Sequence, residues 1–323
     1  MAEPTSAVPS RATRDGTLRL SVLTASLGQE HGARSASLPT RTEWVRRARS
    51  LGITTFDLGI AGPDPTIDRI LRAAFPEPVP ELVLLARLPS ADGPRAPRQA
   101  AASVPGLRAD PVAELEGRLL QWHELGRVIV LAESGARGRL DPETLDALRR
   151  WKGEGRIADW ATEPGRAPDP SSPSSIEFGP LSLLEPALAR ETPGLAEGAR
   201  TPLIALDPFA GGRLDGSLLT AHMLDRPRPE VPASVRELQG EFAPVLRLGF
   251  LTEGRKRTLL EAALQFVLTP PWVLTAVVGL DAPDRLTRLV AALGSLPLDA
   301  RDLARVVGAA RPVSPEPRRD AGA

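Results

Sequence analysis

The sequence predicts an α/β protein in which about eight strand–helix units close into a single (β/α)8 barrel. Short apolar runs alternate with segments of helical periodicity along most of the chain. Strands covered on both faces have such continuous apolar runs, and regular alternation with helices favours a parallel sheet. The alternative, an open doubly wound sheet, is disfavoured because no G-x-G-x-x-G turn follows an early strand.

Seven apolar runs are predicted as strands because each is short and bounded by polar or turn-forming residues. They are Leu18–Ser26, Thr54–Leu58, Glu81–Leu88, Arg127–Ala132, Ile157–Thr162, Leu203–Leu206 and Val273–Val278. The connection after the fifth of these strands, Pro164–Ser175, is rich in Pro and Ser. Either the helix expected there is trimmed to a loop before a strand at Ser175–Phe178, or that strand is misassigned and Leu181–Ala189 supplies the helix.

Five segments carry apolar residues at helical spacing, so each is predicted to pack one face against the barrel. They are Thr42–Leu51, Pro111–Leu125, Asp141–Lys152, Arg257–Leu268 and Asp284–Leu293. The third begins with a clear start signal: Asp141 as N-cap, Pro142 in the first turn, and Glu143 near the positive end of the helix dipole.

Composition excludes several classes of protein. Forty acidic and forty basic residues cancel, so no net field attracts nucleic acid or an anionic membrane surface. The chain has no cysteine, which removes disulfides, thiolate nucleophiles and Cys-ligated metals. It also lacks a secretory signal and any run of about 18 apolar residues, so we expect a cytoplasmic protein with no membrane partner.

One domain is predicted, extending over residues 15–311. The polar tails, residues 1–14 and 312–323, have too little apolar content to order themselves and are predicted to be disordered. The excess of Arg over Lys, with abundant Pro and Ala, is typical of a GC-rich bacterial genome.

Six short segments, in order along the chain, carry a resemblance to a known family. They are Gly16–Ser21, Leu51–Asp57, Glu154–Ile157, Asp207–Leu214, Ala262–Leu268 and Val277–Leu286. Together they resemble the aldo/keto reductases, and the resemblance extends from Gly16 to Ala309. It implies a (β/α)8 barrel with a short N-terminal β-hairpin and a site at the carboxyl ends of the strands.

The family's reaction is hydride transfer from NADPH to a carbonyl group. A Tyr phenol donates the proton, a Lys lowers its pKa, an Asp holds the Lys, and a His orients the substrate. The resemblance aligns Asp57 with the Asp. It aligns Gly62 with the Tyr, Arg87 with the Lys and Ala132 with the His, and Glu133 follows directly.

These replacements predict that the family's reaction is lost. The chain contains no tyrosine, and an arginine does not give up a proton near neutral pH. Asp57, Arg87 and Glu133 remain as the candidate catalytic residues, and we expect Asp57 and Arg87 to form a structural ion pair. The chain is then a catalytically defective barrel that binds an unidentified small molecule at its mouth or acts as a scaffold.

Two alternatives stay open. One is a residual NADP-dependent oxidoreductase that acts on a carbonyl or alcohol, with Glu133 or water as the proton source. The other is a protein-interaction module that binds through the Pro-rich loop Pro164–Pro173 or through the tails.

The resemblance also implies a cofactor site, and several of its positions have changed. The candidate cofactor-binding residues are Asp207, Gly279 and Arg285, the last as a ligand of the 2′-phosphate. Other positions depart from the family pattern: Glu163-Pro164 at the nicotinamide amide, Leu206 at the stacking aromatic, Asp281 at the phosphate and Leu289 at the adenine. We therefore expect NADP binding to be weakened or lost.

Acidic residues at the predicted strand ends raise a further possibility. They are Asp57, Glu133, Glu163, Glu177 and Asp207. Clustered carboxylates bind divalent cations through oxygen or act as an acid–base pair. Acids at strand ends also cap the helices that follow them and face water, and on that interpretation no metal site is predicted.

Overall fold

The computed structural model describes residues 8–13, 18–27, 36–60, 65–90, 110–135, 138–164, 174–186, 201–215, 243–255, 257–280, 283–295 and 297–309. Eight parallel strands form a closed barrel, and a two-stranded antiparallel hairpin precedes them. The predicted (β/α)8 fold is confirmed. Gly62, Asp281, most of the Pro-rich loop 164–173 and the C-terminal tail lie outside the described residues.

The strands are ordered along the chain as they are around the barrel. The hairpin is β1 Ser10–Ala12 and β2 Arg19–Ser21, and the barrel strands are β3 Leu23–Ser26, β4 Thr55–Ile60, β5 Val83–Leu88, β6 Arg127–Ala132, β7 Asp159–Thr162, β8 Ile176–Pro180, β9 Leu203–Leu206 and β10 Val273–Gly279. Strand β10 pairs with both β9 and β3, which closes the barrel.

Helices surround the barrel. They are α1 Leu38–Ser50, α2 Thr66–Ala74, α3 Pro111–Leu125, α4 Pro142–Gly153, α5 Leu259–Leu268, α6 Pro283–Ala292 and α7 Ala300–Ala309. Side-chain caps start several of them: Asp110 accepts from two first-turn amides of α3, and Asp141 accepts from Thr144 N. Thr258 and Glu261 form a reciprocal capping box on α5. Within the described ranges no helix has the length and apolarity to cross a membrane.

Two local predictions need correction. The run Leu18–Ser26 is two strands, because a continuous apolar run hides the break at Val22, whose amide donates to Pro9 O. The strand at Ser175–Phe178 is real and lies at Ile176–Pro180 between β7 and β9, and residues 181–186 are not helical. The alternative that placed a helix at Leu181–Ala189 instead of this strand is therefore wrong.

Two helices have no counterpart among the predicted ones. Helix α2 is only nine residues long and has no side-chain cap, so it lacks a start signal. Helix α7 buries Val306 and packs Leu303 and Ala309 against the core, so its apolar stripe could have been identified by periodicity. Strand β1 lies in the segment 1–14 that composition assigns to a tail, and it supplies half of the predicted hairpin.

The core has two layers. Strand residues alternate between the barrel interior and the helix-facing side. The interior layer contains Val83 and Leu85 of β5, Ile129 and Leu131 of β6, and equivalent residues of β7 to β10. Leu18 and Leu20 enter the same interior cluster from the hairpin, so the hairpin closes the amino-terminal end of the barrel.

Helices α2 and α3 are joined by a buried polar contact. Trp122 Nε1 donates to Asp68 Oδ1 at 2.9 Å, and Arg118 forms an ion pair with the same carboxylate. Asp68 is 9% exposed, so its charge is largely removed from water. The contact links two neighbouring β/α units across the outside of the barrel.

Replacing Asp68 with Ala is expected to lower the free energy of unfolding by about 2 kcal/mol, because the Trp122 and Arg118 donors then lose their acceptor. Urea unfolding measures the change. Asp146→Ala is the matched control, since its pair with Arg149 lies within α4 and both side chains are exposed. Equal losses from the two variants would show that the buried contact of Asp68 stabilises the protein no more than an exposed ion pair does.

Candidate functional site

The carboxyl ends of β3 to β10 form one rim of the barrel, which we call the barrel mouth. Ser26, Asp57 and Arg87 lie there on three consecutive strands. Phe56 and Leu58 belong to the outer core layer, so alternation turns Asp57 toward the barrel interior. The expected ion pair is present: Arg87 Nη2 donates to Asp57 Oδ2 at 2.9 Å.

The Asp57 carboxylate is fully buried and receives three donors. Besides Arg87, the Ser26 hydroxyl donates to Oδ2 at 3.0 Å. The Gly59 amide donates to Oδ1, also at 3.0 Å. These donors hold the carboxylate in one orientation, and the Arg87 side chain beside it is only 8% exposed. A buried guanidinium therefore stands next to a buried carboxylate, where the resemblance implies an ammonium.

Two more acids enter the mouth from the next strands. Ile129 and Leu131 face the interior, so alternation places Glu133 on the same side, just past the end of β6. Glu133 is 6% exposed, and its amide donates to Leu88 O at 2.9 Å. Glu163, past the end of β7, accepts from Ser134 N at 3.1 Å. Glu163 thus links the segment after β7 to the segment after β6.

The other two predicted mouth acids have different positions. Glu177 lies between Ile176 and Phe178, both of which face the barrel interior, so Glu177 is on the opposite side of β8. Asp207 is exposed, and both of its carboxylate oxygens accept from Gly211 N at 2.8 and 3.0 Å. No group of three potential ligands for a metal ion occurs among the residues described. The five carboxylates therefore do not form one cluster.

The nucleotide end of the predicted cofactor site contains Gly279 and Arg285. Gly279 is buried at the end of β10, on the side that faces the interior, as Val277 does. Arg285, in the first turn of α6, forms an ion pair with Asp215, whose side chain is 1% exposed. The guanidinium also lies over the Phe209 ring, 5.5 Å from its centroid.

As they stand, these residues do not fit the 2′-phosphate of NADP. The Arg285 guanidinium, which the resemblance assigns to that phosphate, is paired with a carboxylate of the same chain. Asp207 caps its own turn, and Leu206 presents an aliphatic side chain where a stacking ring is implied. We therefore derive no chemical step through this cofactor.

A cavity lies at the opposite end of the barrel. It has a volume of about 540 Å³ and is lined by residues of the hairpin and of the amino-terminal ends of β4 to β6, among them Arg19, Thr54, Glu81 and Arg127. Barrel enzymes place their chemistry at the carboxyl ends of the strands, so this cavity is distinct from the Asp57 site.

Sequence reasoning missed Asp215 and Ser26. Ser26 closes the predicted first barrel strand, and its position beside Asp57 follows from the register of β3 on β4. Asp215 follows directly on the segment Asp207–Leu214 that carries the resemblance. Its sequence position alone gives no sign that it meets Arg285, seventy residues further along the chain.

Comparisons with known proteins agree with this architecture. No family profile and no curated protein sequence matches the chain. The holo form of an aldo-keto reductase from Bacillus halodurans is 18% identical, covers 94% of this chain and 97% of its own, and gives a TM-score of 0.68. The apo form gives 0.61 at the same identity, over 94% and 96% of the two chains.

An aldo/keto reductase from Klebsiella pneumoniae, solved in complex with NADP and acetate, is 15% identical and gives a TM-score of 0.58. It covers 94% of this chain and 95% of its own. Likeness at such identities is a likeness of fold. The chain therefore has the (β/α)8-barrel fold of the aldo-keto reductases.

Proposed function

We propose that this chain is a catalytically defective barrel of the aldo-keto reductase type, which binds a small molecule at its mouth or serves as a scaffold. The observation that carries the proposal is the buried Asp57–Arg87 ion pair in a chain without tyrosine. The barrel and its carboxylate remain, but the group beside that carboxylate is a guanidinium.

The chemistry of carbonyl reduction explains why this matters. When hydride adds to the carbonyl carbon, negative charge develops on the oxygen, which must receive a proton. A phenol with a pKa of about 10 serves when a neighbouring cation lowers that value. A guanidinium, whose pKa lies far above neutral pH, keeps its proton, and Asp57 offsets its charge.

For a residual oxidoreductase the proton source is Glu133 or water. Glu133 is buried and faces the interior, as Asp57 does, but Asp57 is already paired with Arg87. Replacing Glu133 therefore tests the alternative function.

The purified protein is expected to show no NADPH-dependent reduction of 4-nitrobenzaldehyde above the rate without protein, because the chain has no tyrosine and the cation beside Asp57 is a guanidinium. Loss of NADPH absorbance measures the rate, and quenching of tryptophan fluorescence measures cofactor binding. Glu133→Gln is the companion variant. Reduction by the wild-type protein that disappears in Glu133→Gln would replace the proposal with the residual oxidoreductase.

A further inference from the structure

The contact between Asp215 and Arg285 joins the segment after β9 to the first turn of α6. Both side chains are largely withdrawn from solvent, with 1% of Asp215 and 13% of Arg285 exposed. The Phe209 ring, from the same segment as Asp215, packs under the guanidinium. Arg285 is thus contacted by a carboxylate and an aromatic ring of one segment.

The backbone of residues 207–215 holds the Phe209 ring and the Asp215 carboxylate beside Arg285. Asp207 and Ala210 have positive φ angles of 48° and 50°, which non-glycine residues seldom adopt. The Asp207 carboxylate holds the turn by accepting from Gly211 N, and Leu214 N donates to Phe209 O at 3.1 Å. The turn therefore places both Phe209 and Asp215 in contact with Arg285.

The charge of the Asp215 carboxylate determines which ligands can bind at Arg285. A phosphate group that approaches Arg285 meets the buried Asp215 carboxylate, and like charges in contact oppose binding. Displacing the carboxylate would leave a charged group without its guanidinium in a buried position, which is also unfavourable. Either route weakens the binding of a phosphorylated ligand at this place.

We infer that Asp215 is an internal anion that takes the place of a ligand phosphate at Arg285, and that this pair excludes 2′-phosphorylated nucleotides. The inference rests on the proposed function in one respect. It takes the part of the rim beside Arg285 as the counterpart of the nucleotide site of the aldo-keto reductases. It adds a specific cause, since a single carboxylate, on a different part of the rim from Asp57, sets the affinity for NADPH.

The test compares NADPH with NADH, which lacks the 2′-phosphate. Asp215→Ala and the isosteric Asp215→Asn are expected to bind NADPH at least about tenfold more tightly than the wild-type protein, while NADH binding stays unchanged. Cofactor fluorescence measures both affinities. Adding Arg285→Ala to Asp215→Asn is expected to abolish the gain. The Asn variant keeps the side-chain volume, so it serves even where the Ala variant fails to fold.

A matched control uses another partly buried Arg–Asp pair, which joins the residue before the N-cap of α5 to α7. Arg257 Nη1 lies 3.2 Å from Asp302 Oδ2, with 9% and 21% of the two side chains exposed. Asp302→Ala also removes a carboxylate from a partly buried guanidinium but leaves the pair of Asp215 and Arg285 intact, so its NADPH affinity is expected to equal that of the wild-type protein.

Thermal unfolding gives a readout that is independent of activity. Removal of the Asp215 carboxylate is expected to lower Tm, and inorganic pyrophosphate is expected to restore it in Asp215→Asn but not in Asp302→Ala. A phosphate group would then have taken the position of the lost carboxylate.

The outcomes separate this inference from the proposed function. If Asp215→Asn binds NADPH no more tightly than the wild-type protein, the inference is overturned, whatever the enzyme assay gives. If the wild-type protein reduces 4-nitrobenzaldehyde, the proposed function fails, and the binding comparison still decides the role of Asp215. A gain in NADPH affinity without any reduction supports both.

Discussion

Replacing Asp57 with Ala is expected to lower the free energy of unfolding by about 3–5 kcal/mol, the cost of leaving one charge of a buried pair without its partner. Asp57 is fully buried, and three donors converge on its carboxylate, from Ser26, Gly59 and Arg87. Its loss removes the carboxylate that pairs with the Arg87 guanidinium, and that guanidinium is only 8% exposed. Urea or guanidinium unfolding followed by tryptophan fluorescence measures the change.

A double-mutant cycle with Arg87→Met isolates the pair itself. Because removing both charges leaves neither one buried alone, the double variant is expected to be more stable than the sum of the single losses predicts. Additive losses would mean that Asp57 and Arg87 act independently, and the ion pair would then no longer support the proposed function.

Replacing Arg11 with Ala is expected to lower the free energy of unfolding by about 3 kcal/mol, since three hydrogen bonds from a charged donor are lost at once. Arg11 Nη1 donates to Val273 O at 2.6 Å and to Pro270 O at 3.2 Å, and Nη2 donates to Leu268 O at 2.8 Å. Burial lowers the pKa of the Arg11 guanidinium below its usual value. These bonds fasten the hairpin to the end of α5 and the start of β10.

Two variants make this prediction specific. Arg11→Lys keeps the charge but lacks the planar fork that reaches three carbonyls, so we expect it to recover only part of the lost stability. Arg19→Ala, on the exposed side of the paired strand β2, is expected to leave the free energy of unfolding nearly unchanged. A similar loss from Arg19→Ala would indicate that the hairpin as a whole, and not the Arg11 contact, carries the stability.

The two predicted sites, both at the carboxyl ends of the strands, share one feature. At the mouth, Arg87 is held by Asp57, and at the nucleotide end, Arg285 is held by Asp215. In both places a guanidinium is paired with a buried carboxylate of the same chain. The charge of each guanidinium is thus compensated within the chain.

Much of the fold was predictable because it depends on local patterns. The strands Arg127–Ala132 and Leu203–Leu206 and the helix Pro111–Leu125 match their predicted bounds, since apolar periodicity and capping residues lie within each element. Helix α7 was missed although Leu303, Val306 and Ala309 mark the side that packs against the core.

The candidate site was predictable only in part. The ion pair of Asp57 and Arg87 follows from the order of parallel strands, whose carboxyl ends meet at one rim. Glu177 was misplaced because strand bounds that are uncertain by one residue do not determine which face a side chain occupies.

By itself the sequence determined the barrel, the absence of the phenol and the identity of the residues at the strand ends. Only the tertiary structure decided that Asp215 meets Arg285 and that Asp207 folds back on its own turn. Periodicity and caps are properties of neighbouring residues, whereas a contact between side chains seventy positions apart depends on how the whole barrel closes.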